Sequence, residues 1–429
     1  MLPFTAVAPM DVAQQAWVQV RAEERVRYGS DINAAETEIN PQLRYDFIWK
    51  GGNNHFVAIY QPRFVYTHAW NRRFPDPNLI NPLTLNQDPV NANPLSALHN
   101  GGFGFETVHP RWRLSLYQFA AYGPVTTTTL LVQVPWDGAT PPPDPNPIIP
   151  STIAGRFTLL FLQTQLFVPI RLSTRTALIP GFVYNAFGGA DPASRGVIAL
   201  TQGPGASLAL DHAATRNDRF VTTVGAGLVQ TKFEDDTREG ATIRRAEGTQ
   251  SWRHWYTAGL SSELMAGGSV GGDNINGYSV FSLAQGSLLW DSYGQARIDP
   301  GAPPMGPPPG RGNRIQVGVS ARVNPWIDLF SGELEQRGTL IGAVNYTVDR
   351  TLFRGYIGGA KVFNTPRSVA EYQLILGEGG IRYHFTPAFS LDAGVRYGYQ
   401  DFDNAVRFAT TNQFTVFGGL LLAPYPARF

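Results

Sequence analysis

The chain has no cysteine among its 429 residues, which excludes a disulfide framework and any cysteine-based zinc site. No run of about 18 apolar residues occurs, so a helical membrane span is excluded. An excess of one charge sign is missing too. With 34 basic and 33 acidic residues the net charge is +1, and no global basic field argues for nucleic acid. Lysine occurs only at Lys50, Lys232 and Lys361. The opening Met1-Leu2-Pro3-Phe4-Thr5-Ala6-Val7-Ala8-Pro9 lacks the basic region and full apolar core of a secretory signal. The chain therefore reads as a mature form behind an added Met1.

What is present is alternation. Phe389, Leu391, Ala393, Val395, Tyr397 and Tyr399 are apolar, while Ser390, Asp392, Gly394, Arg396, Gly398 and Gln400 are polar or small. A period of two marks a strand with one apolar and one wet face. Ile39, Pro41, Leu43, Tyr45, Phe47 and Trp49 alternate in the same way with Glu38, Asn40, Gln42, Arg44, Asp46 and Lys50. Ile315, Val317, Val319, Ala321 and Val323 alternate with Arg314, Gln316, Gly318, Ser320 and Arg322. Such runs recur from end to end with no helical stretch between them, and the simplest pair of environments is lipid outside and a watery lumen inside. The expected fold is all-β, a transmembrane antiparallel up-and-down β-barrel. Residues 1–14 form a lead-in segment and 15–429 a single barrel. An apolar share of only 43% suits a wall in which every second residue meets lipid.

Short turns are expected at 51–54, 109–111, 173–176, 214–218, 273–277, 324–326, 348–351 and 386–388. Longer Pro-, Gly- and Asp-rich loops alternate with them at 29–37, 71–100, 124–154, 188–195, 234–250, 294–313, 364–370 and 401–411, with one brief loop-side connection near 336–339. Short periplasmic turns alternating with longer external loops are the barrel signature. The count is about 18 strands, or 16 if 241–292 is misread, with both termini periplasmic. Aromatics beside the turns and at one strand's far end (Trp49, Phe56, Trp112, Trp326, Phe385, Phe389, Tyr397 and Tyr399) form a candidate membrane girdle. Glu24 breaks parity among Val20, Ala22 and Val26, which calls for a bulge or a strand end above the membrane. Tyr372, Leu374 and Leu376 are out of phase with Ile381, Tyr383 and Phe385, and a bulge near Gly377–Gly380 would reconcile them.

An 18-stranded barrel is too wide for side chains alone to fill, so loops 71–100 and 124–154 are candidates either to plug it or to cap it. By parity the inner wall carries Arg21, Arg25, Arg27, Arg44, Lys50, Arg63, Arg111, Arg113, Arg314, Arg322, Arg382 and Arg396. Glu23, Glu38, Asp46, Glu378 and Asp392 oppose them. Arginine forks hold carboxylate, phosphate or sulfate in two places, which would favour anions inside the barrel. The same residues paired across strands would simply stiffen the wall. Trp17, Tyr117 and Phe119 also point inward, where rings could stack on sugar or cover an apolar wall. Phe157, Phe161 and Phe167 make their strand apolar on both faces.

Enzymatic signals are thin. Seven histidines are scattered, Ser251 and His254 lie on opposite faces of one strand, and no Gly-x-Ser-x-Gly, His-Glu-x-x-His or P-loop pattern occurs. No metal or other cofactor is expected. The acidic pieces Glu234-Asp235-Asp236 and Asp401-Phe402-Asp403-Asn404 lack calcium-loop spacing.

At the C-terminus Phe417, Gly419, Leu421, Ala423, Tyr425, Ala427 and Phe429 share one parity. Terminal Phe429 with Tyr425 before it resembles the signal of outer-membrane β-barrel proteins, porin-like proteins among them, whose last strand is read by the barrel-assembly machinery. Pro424 and Pro426 depart from that pattern, and the strand is expected to end near Ala423 with a free tail. The segment Glu38-Ile39-Asn40-Pro41-Gln42-Leu43-Arg44-Tyr45 is similar to opening strands of barrels associated with exopolysaccharide export. These resemblances imply outer-membrane lipid and lipopolysaccharide as surroundings, with periplasmic export proteins as partners in the second case. Three functions stay open: passage of small anionic or sugar-like solutes, a polysaccharide export conduit, or a non-conducting scaffold.

Overall fold

The computed structural model describes residues 14–29, 33–49, 53–70, 95–126, 156–196, 198–234, 240–273, 277–293, 313–327, 334–363, 372–402, 411–423 and 427–428. They form 18 antiparallel strands, each paired with its neighbours in sequence. In order these are β1 Gln14–Gly29, β2 Asn33–Ile48, β3 in two pieces (Asn54–Tyr60 and Arg63–Trp70), β4 Leu95–Val108 and β5 Arg113–Thr126. Next come β6, again in two pieces (Arg156–Phe167 and Ile170–Arg171), β7 Thr176–Gly189, β8 Leu200–Ala213, β9 Asp218–Lys232 and β10 Thr242–Trp255. Then follow β11 Leu260–Asp273, β12 Gly277–Asp291, β13 Arg314–Ile327, β14 Leu334–Val348 and β15 Thr351–Phe363. The last are β16 Tyr372–Thr386, β17 Phe389–Phe402 and β18, split into Thr411–Leu422 and Ala427–Arg428. β1 closes the ring on β18 in a ladder from Val20↔Leu422 to Gly29↔Gln413. Closure leaves no terminal edge strand, which lipid would otherwise strand without hydrogen-bond partners.

The alternation read from sequence is the alternation of the wall. On β17, Leu391, Val395 and Tyr397 are exposed outward while Ser390, Asp392 and Gln400 are buried inward. On β9 the outward Val224 is 54% exposed, although it is apolar and sits in mid-strand. Exposed apolar side chains occur on the outer parity around the whole ring, which is the surface of a membrane-spanning barrel.

The strand count matches expectation, yet two compensating errors lie behind it. The turn after β10 is at residues 256–259, where one long strand was expected, and the 336–339 connection is not a loop but lies inside β14. Likewise 324–326 is not a turn: β13 runs on to Ile327, and its partner strand starts at Leu334. In consequence 273–277 joins strands on the loop side, and the long connection between β12 and β13 leaves from the turn side. Neither expected bulge forms. Glu24 sits opposite both Thr37 and Gly418 in unbroken ladders, faces outward, and accepts a hydrogen bond from the Thr37 hydroxyl at 2.9 Å. β16 keeps one register through Gly377–Gly380, so Leu374 and Leu376 face inward, 1% and 6% exposed.

The last strand also differs from expectation. Phe417 points inside, 6% exposed, with its ring over Gly394. After Leu422 the pairing with β1 resumes one residue out of step, at Ala427↔Ala16 and Arg428↔Gln15. The stretch with Pro424 and Pro426 is thus bridged by a register shift rather than ending in a free tail. Tyr425 and Phe429 themselves lie outside the described residues.

If the outer parity meets hydrocarbon, Val224→Arg should destabilise the barrel by about 2–4 kcal/mol. Its inward neighbour Thr223→Arg should cost far less. Urea unfolding of the protein refolded into lipid vesicles measures both, and equal costs would refute the assignment of faces.

Candidate functional site

The inner wall is chemically uneven, and its charged part is continuous. Inward-facing residues of β1, β2 and β3 meet those of β15, β16 and β17 in one network of arginine and carboxylate. Glu38, 3% exposed, accepts from Arg63 Nε and Nη2, both at 2.7 Å, and is also hydrogen-bonded by Arg25. Glu36, 1% exposed, lies 3.3 Å from Arg27 and 3.5 Å from Arg25. Glu23 takes Arg25 at 2.5 Å and Arg21 beside it. Asp392 is shared by Arg382 at 2.7 Å and Arg354 at 3.1 Å, with Arg21 3.8 Å away. Glu378 holds Arg396 at 2.5 Å, with Arg354 at 3.7 Å. Each of these carboxylates lies among two or more guanidinium groups, so the acids are spoken for while the arginines outnumber them.

A second pattern runs around the turn-side mouth. Near their turns, six of the eight turn-side hairpins carry an inward Arg–carboxylate pair: Arg44–Asp46, Arg113–Glu106, Arg219–Asp211, Arg253–Glu263, Arg314–Asp291 and Arg382–Asp392. His55 adds to the first of these, 3.1 Å from Asp46. Five of these cross adjacent strands and fix register, worth about 0.2–1 kcal/mol each where water reaches them, while Arg44–Asp46 lies within β2. The ring makes this mouth a stiff collar.

Beyond β4 the wall turns aromatic. Phe119, Phe161 and Phe187 of β5, β6 and β7 form a row with ring centroids 5.5 and 6.2 Å apart. Tyr117 lies on Gly104 and Phe167 on Gly181, where an added Cβ would stand about 3.0 Å from each ring. Glycine thus makes room for rings to lie flat against the wall instead of projecting into the bore. Trp17 also faces inward, with the Arg44 guanidinium 4.6 Å from its ring centre.

Of the candidate lumen residues, Arg21, Arg25, Arg27, Arg44, Arg63, Arg113, Arg314, Arg322, Arg382, Arg396, Glu23, Glu38, Asp46, Glu378 and Asp392 all stand on inward parity. Arg111 does not, because it lies exposed in the turn between β4 and β5, and Lys50 falls outside the described residues. Sequence reading missed Arg354, although the alternation of Leu352, Arg354, Tyr356 and Gly358 carries it, and missed Glu36 because 29–37 was taken as loop. Among girdle candidates Trp49, Trp112, Phe385 and Tyr397 are exposed outward, with Phe389 stacked on Phe385 at 5.3 Å. Phe56 and Tyr399 share the outward parity. Trp326 does not belong to the girdle. It faces inside at the loop end, with the buried Arg337 guanidinium 4.6 Å from its ring centre. Of loops 71–100 and 124–154, expected to plug or cap the barrel, 95–100 and 124–126 belong instead to β4 and β5, and the rest lies outside the described residues, as do Asp403 and Asn404 of the acidic piece 401–404.

One constellation at the outer turn-side rim tests the enzymatic reading. Asp218, His254 and Ser262 are direct partners on β9, β10 and β11, and His254 Nδ1 is 2.7 Å from Asp218. Ser262, however, donates to the Tyr256 hydroxyl at 3.2 Å, and the Trp252 indole N–H donates to Asp218 at 3.0 Å. The group is a hydrogen-bonded piece of the aromatic rim, and among the described residues no metal-binding cluster occurs.

No protein-family model matches the chain, and no curated protein does. Among solved structures it is similar to Pseudomonas aeruginosa OccK5 (OpdH), at 11% identity over 96% of this chain and 98% of that one, TM-score 0.47. It is similar to OpdK of the same organism, crystallised with vanillate, at 12% identity over 96% and 99%, TM-score 0.45. Acinetobacter baumannii OccAB4 follows at 9% over 97% and 100%, TM-score 0.45. What the barrel does has to be read from its own walls.

Glu38 is the most demanding point of the charged wall. Glu38→Gln should cost about 3–5 kcal/mol by leaving buried arginine without its counter-charge. Adding Arg63→Met should recover part of that loss. A double-mutant cycle by urea unfolding gives the coupling, and additive costs would mean that the pair is not the keystone of this wall.

Proposed function

We propose that this protein is an outer-membrane channel that passes small solutes, anionic or sugar-like ones first among them. The turn side, with both chain ends, then faces the periplasm. One observation carries the reading: the lumen of this wide barrel has an arginine-rich wall on β15–β17 and β1–β3 and an aromatic wall on β5–β7. Barrels of about 16–18 strands leave an aqueous passage that side chains cannot fill. Neighbouring walls of this kind suit a solute with a charged edge and an apolar or pyranose-like face. The guanidinium groups offer donors to the edge, and the rings offer a surface to the face.

The pairing of every acid in the wall supports anion preference. A carboxylate held between arginines contributes little repulsion in the lumen, whereas Arg21, Arg382 and Arg396 keep 28%, 21% and 18% of their side-chain surface accessible. The same pairing stiffens the wall, and the two roles are compatible. Export of a polysaccharide gains no support from these walls, whose paired charges and flat rings suit a small solute.

Planar-bilayer recording tests the proposal. Stable open steps with a reversal potential favouring anions are expected under a salt gradient. Replacing Arg382 and Arg396 together by Gln should move that potential toward cation preference. Silence at all voltages would sink the channel reading and leave a scaffold.

A further inference from the structure

The barrel wall has one seam, between β12 and β13. Their ladder holds only from Ala284↔Val323 to Asp291↔Gln316, whereas β13 stays paired with β14 as far as Ile327↔Leu334. On the loop side, Gly277–Leu283 of β12 has no rung to β13 among the described residues. The cause is local. In this register Ser282 would face Pro325, which has no N–H to give. The Gln336 side chain, reaching over from β14, takes both vacant bonds instead: it donates to Ser282 O and accepts from Ser282 N, each at 3.0 Å.

The loop end of the β13–β14 hairpin is tucked inside. A methyl group at inward-facing Gly271 of β11 would lie 2.5 Å from Leu334 Cδ2, so Leu334 occupies the place a side chain there would fill. β12 is left as the outer leaf of an overlap, with Val280 81% exposed. On the outer face a groove of about 970 Å³ crosses the seam. Its floor is apolar and small at Ala284, Gly286 and Ala321, and Lys361 lines it on the loop end of β15. On the inner parity, one rung in from the end of the ladder, Arg322 Nε donates to Gln285 at 3.2 Å.

The geometry points to a side exit: an amphiphile with a long apolar chain and an anionic head leaves the lumen through the β12–β13 seam into the outer groove. The chain lies along the small-residue floor, and the head passes from Arg322 inside to Lys361 outside. This rests on the channel reading for entry into the lumen. It adds to that reading a lateral route, a latch (the Gln336 amide on Ser282) and a class of solute.

The absence of native cysteine makes the test clean. Ala284→Cys with Val323→Cys, directly opposed at the last rung, would bolt the seam on oxidation, and Gln336→Ala would release the latch. Two readouts are taken on each variant. One is transfer of a fluorescent long-chain fatty acid into vesicles whose outer leaflet is lipopolysaccharide. The other is ion conductance in a planar bilayer. The expected result is loss of fatty-acid transfer to the protein-free background in the oxidised pair, recovery on reduction, and several-fold faster transfer in Gln336→Ala, with conductance unchanged throughout. Transfer that persists in the fully oxidised pair overturns the side exit and leaves the channel standing. Conductance lost together with transfer also overturns it, because both solutes would then share the axial path. Silent conductance with no transfer in any variant removes the axial channel, and with it the entry on which the side exit rests. If Lys361 serves only resident outer-leaflet lipid, Lys361→Gln will leave transfer untouched, and the head-group route outside the wall fails.

Discussion

Every structural feature of this protein follows from one requirement: in lipid, a peptide N–H or C=O can be satisfied only by the protein itself. Each unsatisfied group costs several kcal/mol, and a sheet escapes that cost only by closing on itself. Closure here is made by β1 on β18, and the chain accepts a register shift at Ala427 to keep the ladder going past two prolines. Once closed, every strand must alternate, because the pleat sends successive side chains to opposite solvents. The same rule lets Glu24 stay in phase on the outer face. A bulge would have cost ladder bonds on both sides, whereas Thr37 can supply a single hydroxyl.

Inside, the limiting problem is the reverse. A wide ring of strands has no core to hold it in shape, so rigidity must come from the wall's inner surface. The chain uses cross-strand Arg–carboxylate pairs near the turns as a collar and a denser network across β15–β17 and β1–β3. Burying these charges is sustained because each acid has several donors, and removal of one member would leave the others uncompensated. Glycine on one strand also receives a ring from the next, as at Gly104 with Tyr117 in the aromatic wall and Gly394 with Phe417 within the charged one. Both devices thin the wall and widen the bore. Rigidity and an open path therefore come from the same residues.

Much of this was legible in the sequence, because period-two parity transmits directly into which face a residue takes. The inward parity of the arginines on β1, β2, β16 and β17 was legible on that basis alone. Parity fails where a strand's ends are misjudged. Tyr256-Thr257-Ala258-Gly259 makes a turn with one glycine and no proline, so two strands read as one. Asn324-Pro325-Trp326 has turn composition but continues a strand, because Pro325 faces the side on which β13 has no partner, the one place in a sheet where its missing N–H is harmless. That misplaced turn also put Trp326 into the girdle. Glu36 and Arg354 were lost for a similar reason, at a strand start taken as loop and in an alternation left unread.

Pro325 connects these points. It is an apparent violation of the closure rule, and the structure answers it with a side chain from the strand beyond rather than by breaking the barrel. A side-chain amide is a weaker and more labile clasp than a ladder. It fixes no backbone dihedrals on β13, and its two bonds are each worth only about 0.5–1.5 kcal/mol net. The remaining walls are zipped along most of their length, so any sideways yielding of the barrel concentrates at this overlap. A groove also crosses the outer surface here, and the inner surface presents Arg322. A wall that needed only to be closed would have little use for a proline at that position, where it withholds the N–H that a ladder to Ser282 would need.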